Sequence, residues 1–163
     1  MTPEERLIKT DRMRYTKDKF SANLILAAIV LDVLYFISIY KTDVGTYYYT
    51  WMTGASIIYN LLFLLTAFLA SEGVKSRKTG YTGMLIFIGL MQVVRVFYLP
   101  AKAHAASVNI NNVEQAVMAD GQYTFVILCL IVSGACCIAA AITSFINNKN
   151  LAAYMKSLDT KTV

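Results

Sequence analysis

Four uninterrupted apolar runs, at residues 22–40, 51–70, 81–99 and 123–146, constrain this chain more than any other feature. Each is close to the roughly 20 residues that a helix needs to cross about 30 Å of hydrocarbon. A backbone in lipid has to satisfy its own amides and carbonyls, so each run is expected to be a helix. The chain is 57% hydrophobic and only 15% charged, which excludes an ordinary water-soluble domain. The expected fold class is an all-α integral membrane protein, a four-transmembrane-helix bundle over residues 21–146. Short cytoplasmic helices are expected at both termini, an amphipathic segment at 1–20 and a helix and tail at 147–163. The first apolar run follows about 20 polar residues and is too long for a signal-peptide core, so no cleaved leader is expected.

The formal charge of +5 is unevenly placed. Arg6, Lys9, Arg12, Arg14, Lys17 and Lys19 precede the first span, Lys75, Arg77 and Lys78 separate the second and third, and Lys149, Lys156 and Lys161 follow the fourth. Only Lys41 and Lys102 occupy the opposite loops. The positive-inside rule then puts both termini in the cytoplasm of a cell-membrane protein. Cations beside anionic lipid account for the basic balance, and no nucleic-acid partner is expected. Thr2, Pro3 and Glu5 carry the offsets of a capping box with a helix-start proline. The helix they start is expected to lie on the headgroups or to dock on a partner. At the other terminus Leu151, Tyr154, Met155 and Leu158 repeat at helical spacing, which predicts a short separate helix from Asn150. Tyr47, Tyr48, Tyr49 and Trp51 suit an outer interfacial belt, and Asn111 or Asn112 is expected to cap a short helix reaching Met118.

Polar residues inside the spans are the candidates for function, because ionisable groups at that depth are costly and seldom idle. Asp32 falls near the middle of the first span, Tyr59 and Asn60 near the middle of the second, and Gln92 and Arg95 one turn apart in the third. Ser133 arrives at similar depth from the fourth. One reading makes Asp32 and Arg95 an internal ion pair, with Asn60 and Gln92 satisfying the remaining donors and acceptors. Another makes Asp32 the centre of a transport cavity, although a neighbouring arginine keeps a carboxylate ionised and argues against a proton carrier. A third lets Arg95 reach outward past Tyr98. Small residues mark close helix contacts: Gly83 and Gly89 in the third span, Gly134, Cys137 and Ala141 in the fourth, with Gly54, Ala55 and Ser56 offering a further small surface.

The three cysteines, Cys129, Cys136 and Cys137, match no redox or zinc spacing and are read as packing. A single histidine, His104, excludes a bis-histidine haem site within the chain and is expected to be solvated. No phosphate loop, carboxylate pair or serine elbow is present, so no metal, cofactor or enzyme chemistry is expected. The function expected is a noncatalytic multi-pass subunit that assembles or anchors a larger membrane complex, with other membrane subunits or further copies of itself as partners. The alternative is a small oligomeric transporter with its site around Asp32 and Arg95.

Overall fold

The computed structural model describes residues 2–40, 50–110 and 113–160. Its elements are α1 (Pro3–Met13), α2 (Lys19–Tyr40), α3 (Thr50–Lys75), α4 (Gly80–Val96), α5 (Leu99–His104), strands β1 (Ser107–Ile110) and β2 (Val113–Ala116), and α6 (Asp120–Asp159). Four helical segments, containing α2, α3, α4 with α5, and α6, are long and apolar enough to cross a membrane. The outside of the bundle is apolar: Ile58, Leu61, Phe87 and Phe97 are each at least 60% exposed. Water would tolerate so continuous an apolar belt poorly, and lipid accepts it.

The helices run up and down. Going round the bundle the order is α3, α2, α6, α4, and α4 closes only loosely back onto α3. The interior has two apolar clusters, one built on Ile25, Phe63, Leu85 and Ala140, the other on Tyr35, Val96, Met118 and Leu130. Asp32, Gln92 and Ser133 fall between them in each chain segment, so a polar layer divides the core. Each helix aims its inner residues by spacing alone: Ile25, Ala28, Asp32, Tyr35 and Ile39 share one face of α2.

At the end that carries the termini, Asp18 caps α2. Its Oδ1 accepts from the Ser21 amide at 3.2 Å and its Oδ2 from the Ser21 hydroxyl at 3.0 Å and from Asn147 at 3.3 Å. The Asp18 amide donates to the Lys75 carbonyl at 3.1 Å, so one residue ties α2, α3 and α6 together. Helix α3 closes with Arg77 in the left-handed region at φ 56°, the Arg77 amide donating to Val74 O and the Lys78 amide to Gly73 O. That is the Schellman pattern with an arginine where glycine is usual.

The capping box at Thr2 and Glu5 is present and starts α1 as expected. Three other expectations change. The stretch leading to Met118 is not a helix but a hairpin, with Ser107 opposite Ala116 and Ile110 opposite Val113. Val108, Ile110 and Val113 are β-branched and favour strands on either side of positions 111 and 112. Asn111 and Asn112 themselves, like Tyr47, Tyr48 and Tyr49, lie outside the described residues. Secondly, no separate helix begins at Asn150, because α6 continues unbroken for 40 residues. At the helical rise this is about 60 Å, twice the hydrocarbon thickness. Thirdly, the third span breaks after Val96, since Pro100 has no amide to donate back to the Val96 carbonyl and stands instead in the first turn of α5.

Candidate polar core of the bundle

Asp32 is fully buried on α2, Gln92 is fully buried on α4, and Asn60 and Arg95 are 3% and 6% exposed. Arg95 Nη1 donates to Asp32 Oδ1 at 2.8 Å, and Gln92 Nε2 donates to the same oxygen at 2.9 Å. Arg95 Nη2 donates to Asn60 Oδ1 on α3 at 2.5 Å, while Nη1 also approaches Gln92 Oε1 at 3.4 Å. The guanidinium therefore fastens three helices. Its reach follows from helix geometry, since side chains lean toward the N-terminus and Arg95 starts one turn beyond Gln92. It points inward, and the outward route past Tyr98 is not taken.

Two tyrosine rings complete the arginine's surroundings. The guanidinium carbon is 4.2 Å from the Tyr35 ring centre and 4.9 Å from that of Tyr59, both within cation–π range. Tyr35 was not among the residues singled out in the sequence, although it stands one turn beyond Asp32 and so shares its face. Asp32 Oδ2 and the Tyr35 hydroxyl have no hydrogen-bond partner among the described residues.

Ser133 reaches the right depth but does not join this cluster. Its hydroxyl donates to the Ala28 carbonyl at 3.0 Å and so pins α6 to the backbone of α2. Of the small residues, Gly89 and Gly134 meet where α4 crosses α6: a Cβ at Gly134 would lie 2.8 Å from the Gly89 carbonyl oxygen, and one at Gly89 would lie 3.2 Å from Cys137 Cβ. Cys137 and Ala141 are fully buried in the cluster built on Ile25, Phe63, Leu85 and Ala140. Gly83 is different. It is exposed, and a Cβ there would meet nothing within 4 Å. Six residues turn the helix by about 240°, which puts Gly83 off the face that Gly89 uses. Gly54 likewise has nothing within 4 Å of a Cβ and makes no close crossing of the kind seen at Gly89 and Gly134, although Ser56 on the same small surface is buried at 4% exposure.

Instead, the loose side between α3 and α4 holds a cavity of about 260 Å3, lined by Ser56 and Tyr59 from one helix and by Met91, Val94, Arg95 and Tyr98 along the other. His104, expected to be solvated, is half-buried: its ring stacks on Tyr123 with centres 4.0 Å apart, and Nε2 lies 3.0 Å from Asp120 Oδ1. Among the described residues no three His, Cys, Asp or Glu side chains converge in a way that could hold a metal ion.

No family model, curated protein or solved structure matches the chain. Fold and site together define a class: a bundle of four potentially membrane-spanning helices whose core is divided by a buried, ion-paired polar layer.

Proposed function

We propose that the chain is a noncatalytic multi-pass membrane subunit, both termini cytoplasmic, that assembles or anchors a larger complex in the cell membrane. The observation that carries this reading is the length of α6. Its last 13 residues, from Asn147 to Asp159, extend about 20 Å past the apolar run. Helix α1 lies along this projection, with the Tyr154 hydroxyl donating to Asp11 Oδ1 at 3.2 Å. The pair forms a platform on which Leu7 and Met155 remain 57% and 38% exposed. The polar core supports the same reading, because Arg95 spends both terminal nitrogens, and Asp32 one oxygen, on holding helices together.

A second reading rests on the cavity between α3 and α4, which has the buried Arg95 in its lining. In that reading the chain is a small oligomeric transporter working around Asp32 and Arg95. Purification in mild detergent with mass spectrometry separates the two. A foreign subunit retained in stoichiometric amount, and lost from Leu7→Asp with Met155→Asp while thermal stability holds, supports the anchoring role. A lone homo-oligomer that carries solute into liposomes, and stops when Asp32 is changed to Asn, supports transport.

A further inference from the structure

At the basic end of the bundle a groove of about 880 Å3 runs between α1, the linker into α2 and the turn after α3. Neither the polar core nor the α1–α6 platform uses it. Three separate elements supply it with cations: Lys9 and Arg12 from α1, Lys17 and Lys19 around the start of α2, and Arg77 from the turn. Among the described residues none of these five cations makes an ion pair. Two carboxylates also face the groove, Glu5 and Asp18. Asp18 is already engaged, both oxygens accepting from Ser21 and Asn147, and Glu5 accepts from the Thr2 amide at 2.8 Å. Five cations against these two carboxylates still leave an excess of positive charge, and no ion pair among the described residues engages it.

Arg77 is held there at a cost. Its backbone adopts φ 56°, a region that side-chain-bearing residues avoid. Its Nε donates to the Thr16 carbonyl at 3.2 Å, yet Nη1 is out of solvent and has no acceptor among the described residues. The helix ending accounts for the backbone, but the unsatisfied charged donor calls for an explanation of its own.

The walls of the groove decide what kind of anion fits. Ile8 and Phe20 line it and are 56% and 64% exposed. Phe20 stands in the first turn of α2, where the apolar outside of the bundle begins, so the groove opens onto the level at which headgroups meet hydrocarbon. A soluble phosphate would use the cations and waste the apolar wall.

We infer that this groove binds the phosphate of an anionic glycerophospholipid from the adjoining leaflet, with Arg12, Arg77 and the lysines around the phosphate and an acyl chain against Ile8 and Phe20. Planar guanidinium groups match phosphate oxygens two at a time, and the lysines add charge. This is a built site, distinct from the diffuse attraction that any juxtamembrane cation exerts on anionic lipid.

Native mass spectrometry of the delipidated full chain in detergent tests it, using phosphatidylglycerol, phosphatidylcholine and glycerol 3-phosphate as probes. One equivalent of phosphatidylglycerol should be retained. Lys9→Gln with Arg12→Gln, both solvent-facing, should weaken retention by about tenfold or more. Lys149→Gln with Lys156→Gln, which removes the same charge from the exposed side of α6, should leave it within about twofold. Arg77→Gln, checked for an unchanged melting temperature, should weaken it as the first pair does. Equal losses from the two pairs would mean diffuse charge and overturn the site. Retention of phosphatidylcholine as strong as that of phosphatidylglycerol would overturn the phosphate-led mode, and competition by glycerol 3-phosphate at the same concentration as the lipid would assign the groove to a soluble phosphoryl ligand.

Discussion

Arg95 holds acceptors on two other helices, Asp32 on α2 and Asn60 on α3, so its loss leaves more than one group stranded. Removing one partner of a buried ion pair typically costs about 3 to 5 kcal/mol, and Arg95→Leu and Asp32→Leu should each fall in that range. Replacing both often restores most of the loss, but here Gln92 Nε2 and Asn60 Oδ1 would lose their acceptor and donor. Each orphan costs about 1 to 3 kcal/mol, so the double variant should recover only in part. Adding Asn60→Leu and Gln92→Leu should recover more. Equilibrium unfolding in mixed micelles measures the cycle, and strictly additive losses would show that Asp32 and Arg95 do not interact. Arg95→Lys should behave as a loss too, since one ammonium has no fork with which to reach two helices and stacks poorly between Tyr35 and Tyr59. The cluster could be read from the chain because charge inside an apolar run is rare, and because Gln92 and Arg95 are one turn apart. Tyr35 was hidden by its own chemistry: an aromatic in an apolar run looks like any core residue until the depth of the arginine is known. Ser133 misled for the opposite reason, as a hydroxyl at the right depth found the Ala28 carbonyl, and the register of α6 on α2 is not written in either helix alone.

The crossing of α4 on α6 depends on the absence of two side chains. A Cβ at Gly134 would press on the Gly89 carbonyl oxygen, which is backbone and has no rotamer to escape into. Gly134→Ala should therefore separate the helices and cost about 1 to 3 kcal/mol, the usual range for overpacking. At Gly83, open on every side, alanine should be neutral or raise stability by up to about 1 kcal/mol through helix propensity. Thermal unfolding of the two variants checks the pair, and equal effects would mean that the crossing is not set by Gly134. Glycines were visible in the sequence, but their rotational phase decided which mattered. Two of the three departures from expectation have local causes. Asn147, Asn148 and Asn150 look like a helix end, yet each costs the helix only about half a kcal/mol, and Asn147 offsets part of this through its bond to Asp18. Asn111 and Asn112 read in the sequence as a helix cap, and only the β-branched Val108, Ile110 and Val113 on either side favour strands. Proline at Lys149, an exposed position, should break α6 at a cost of about 3 kcal/mol to its last turns. Helix α1 would then lose its support while the bundle holds. Faster proteolysis within residues 2–16, with an unchanged main melting transition, is the expected outcome; unchanged proteolysis would mean that α1 does not depend on α6.

Across the whole molecule, basic residues collect at the end that carries α1, the α3–α4 turn and the end of α6, while the hairpin occupies the other end. The positive-inside rule turns this asymmetry into a prediction of sidedness, with the hairpin outside and both termini in the cytoplasm. Single cysteines test it in an otherwise cysteine-free chain. Cys129, Cys136 and Cys137 should be changed to alanine and not serine, because Cys129 and Cys137 are buried and a buried hydroxyl without a partner would cost more than the lost sulfur contact. Asn109 on β1 and Ser157 near the end of α6 are both exposed, and Ser157 lies 11 residues beyond Ile146. That distance is about 16 Å of helix, so failure to label Ser157→Cys would not reflect burial in hydrocarbon. An impermeant maleimide added to intact cells should modify Asn109→Cys at once and Ser157→Cys only after the membrane is opened. The reverse pattern would invert the protein in the membrane, placing the platform outside and the lipid groove in the opposite leaflet. Labelling of both positions in intact cells would be incompatible with a single orientation in which α6 crosses once between them.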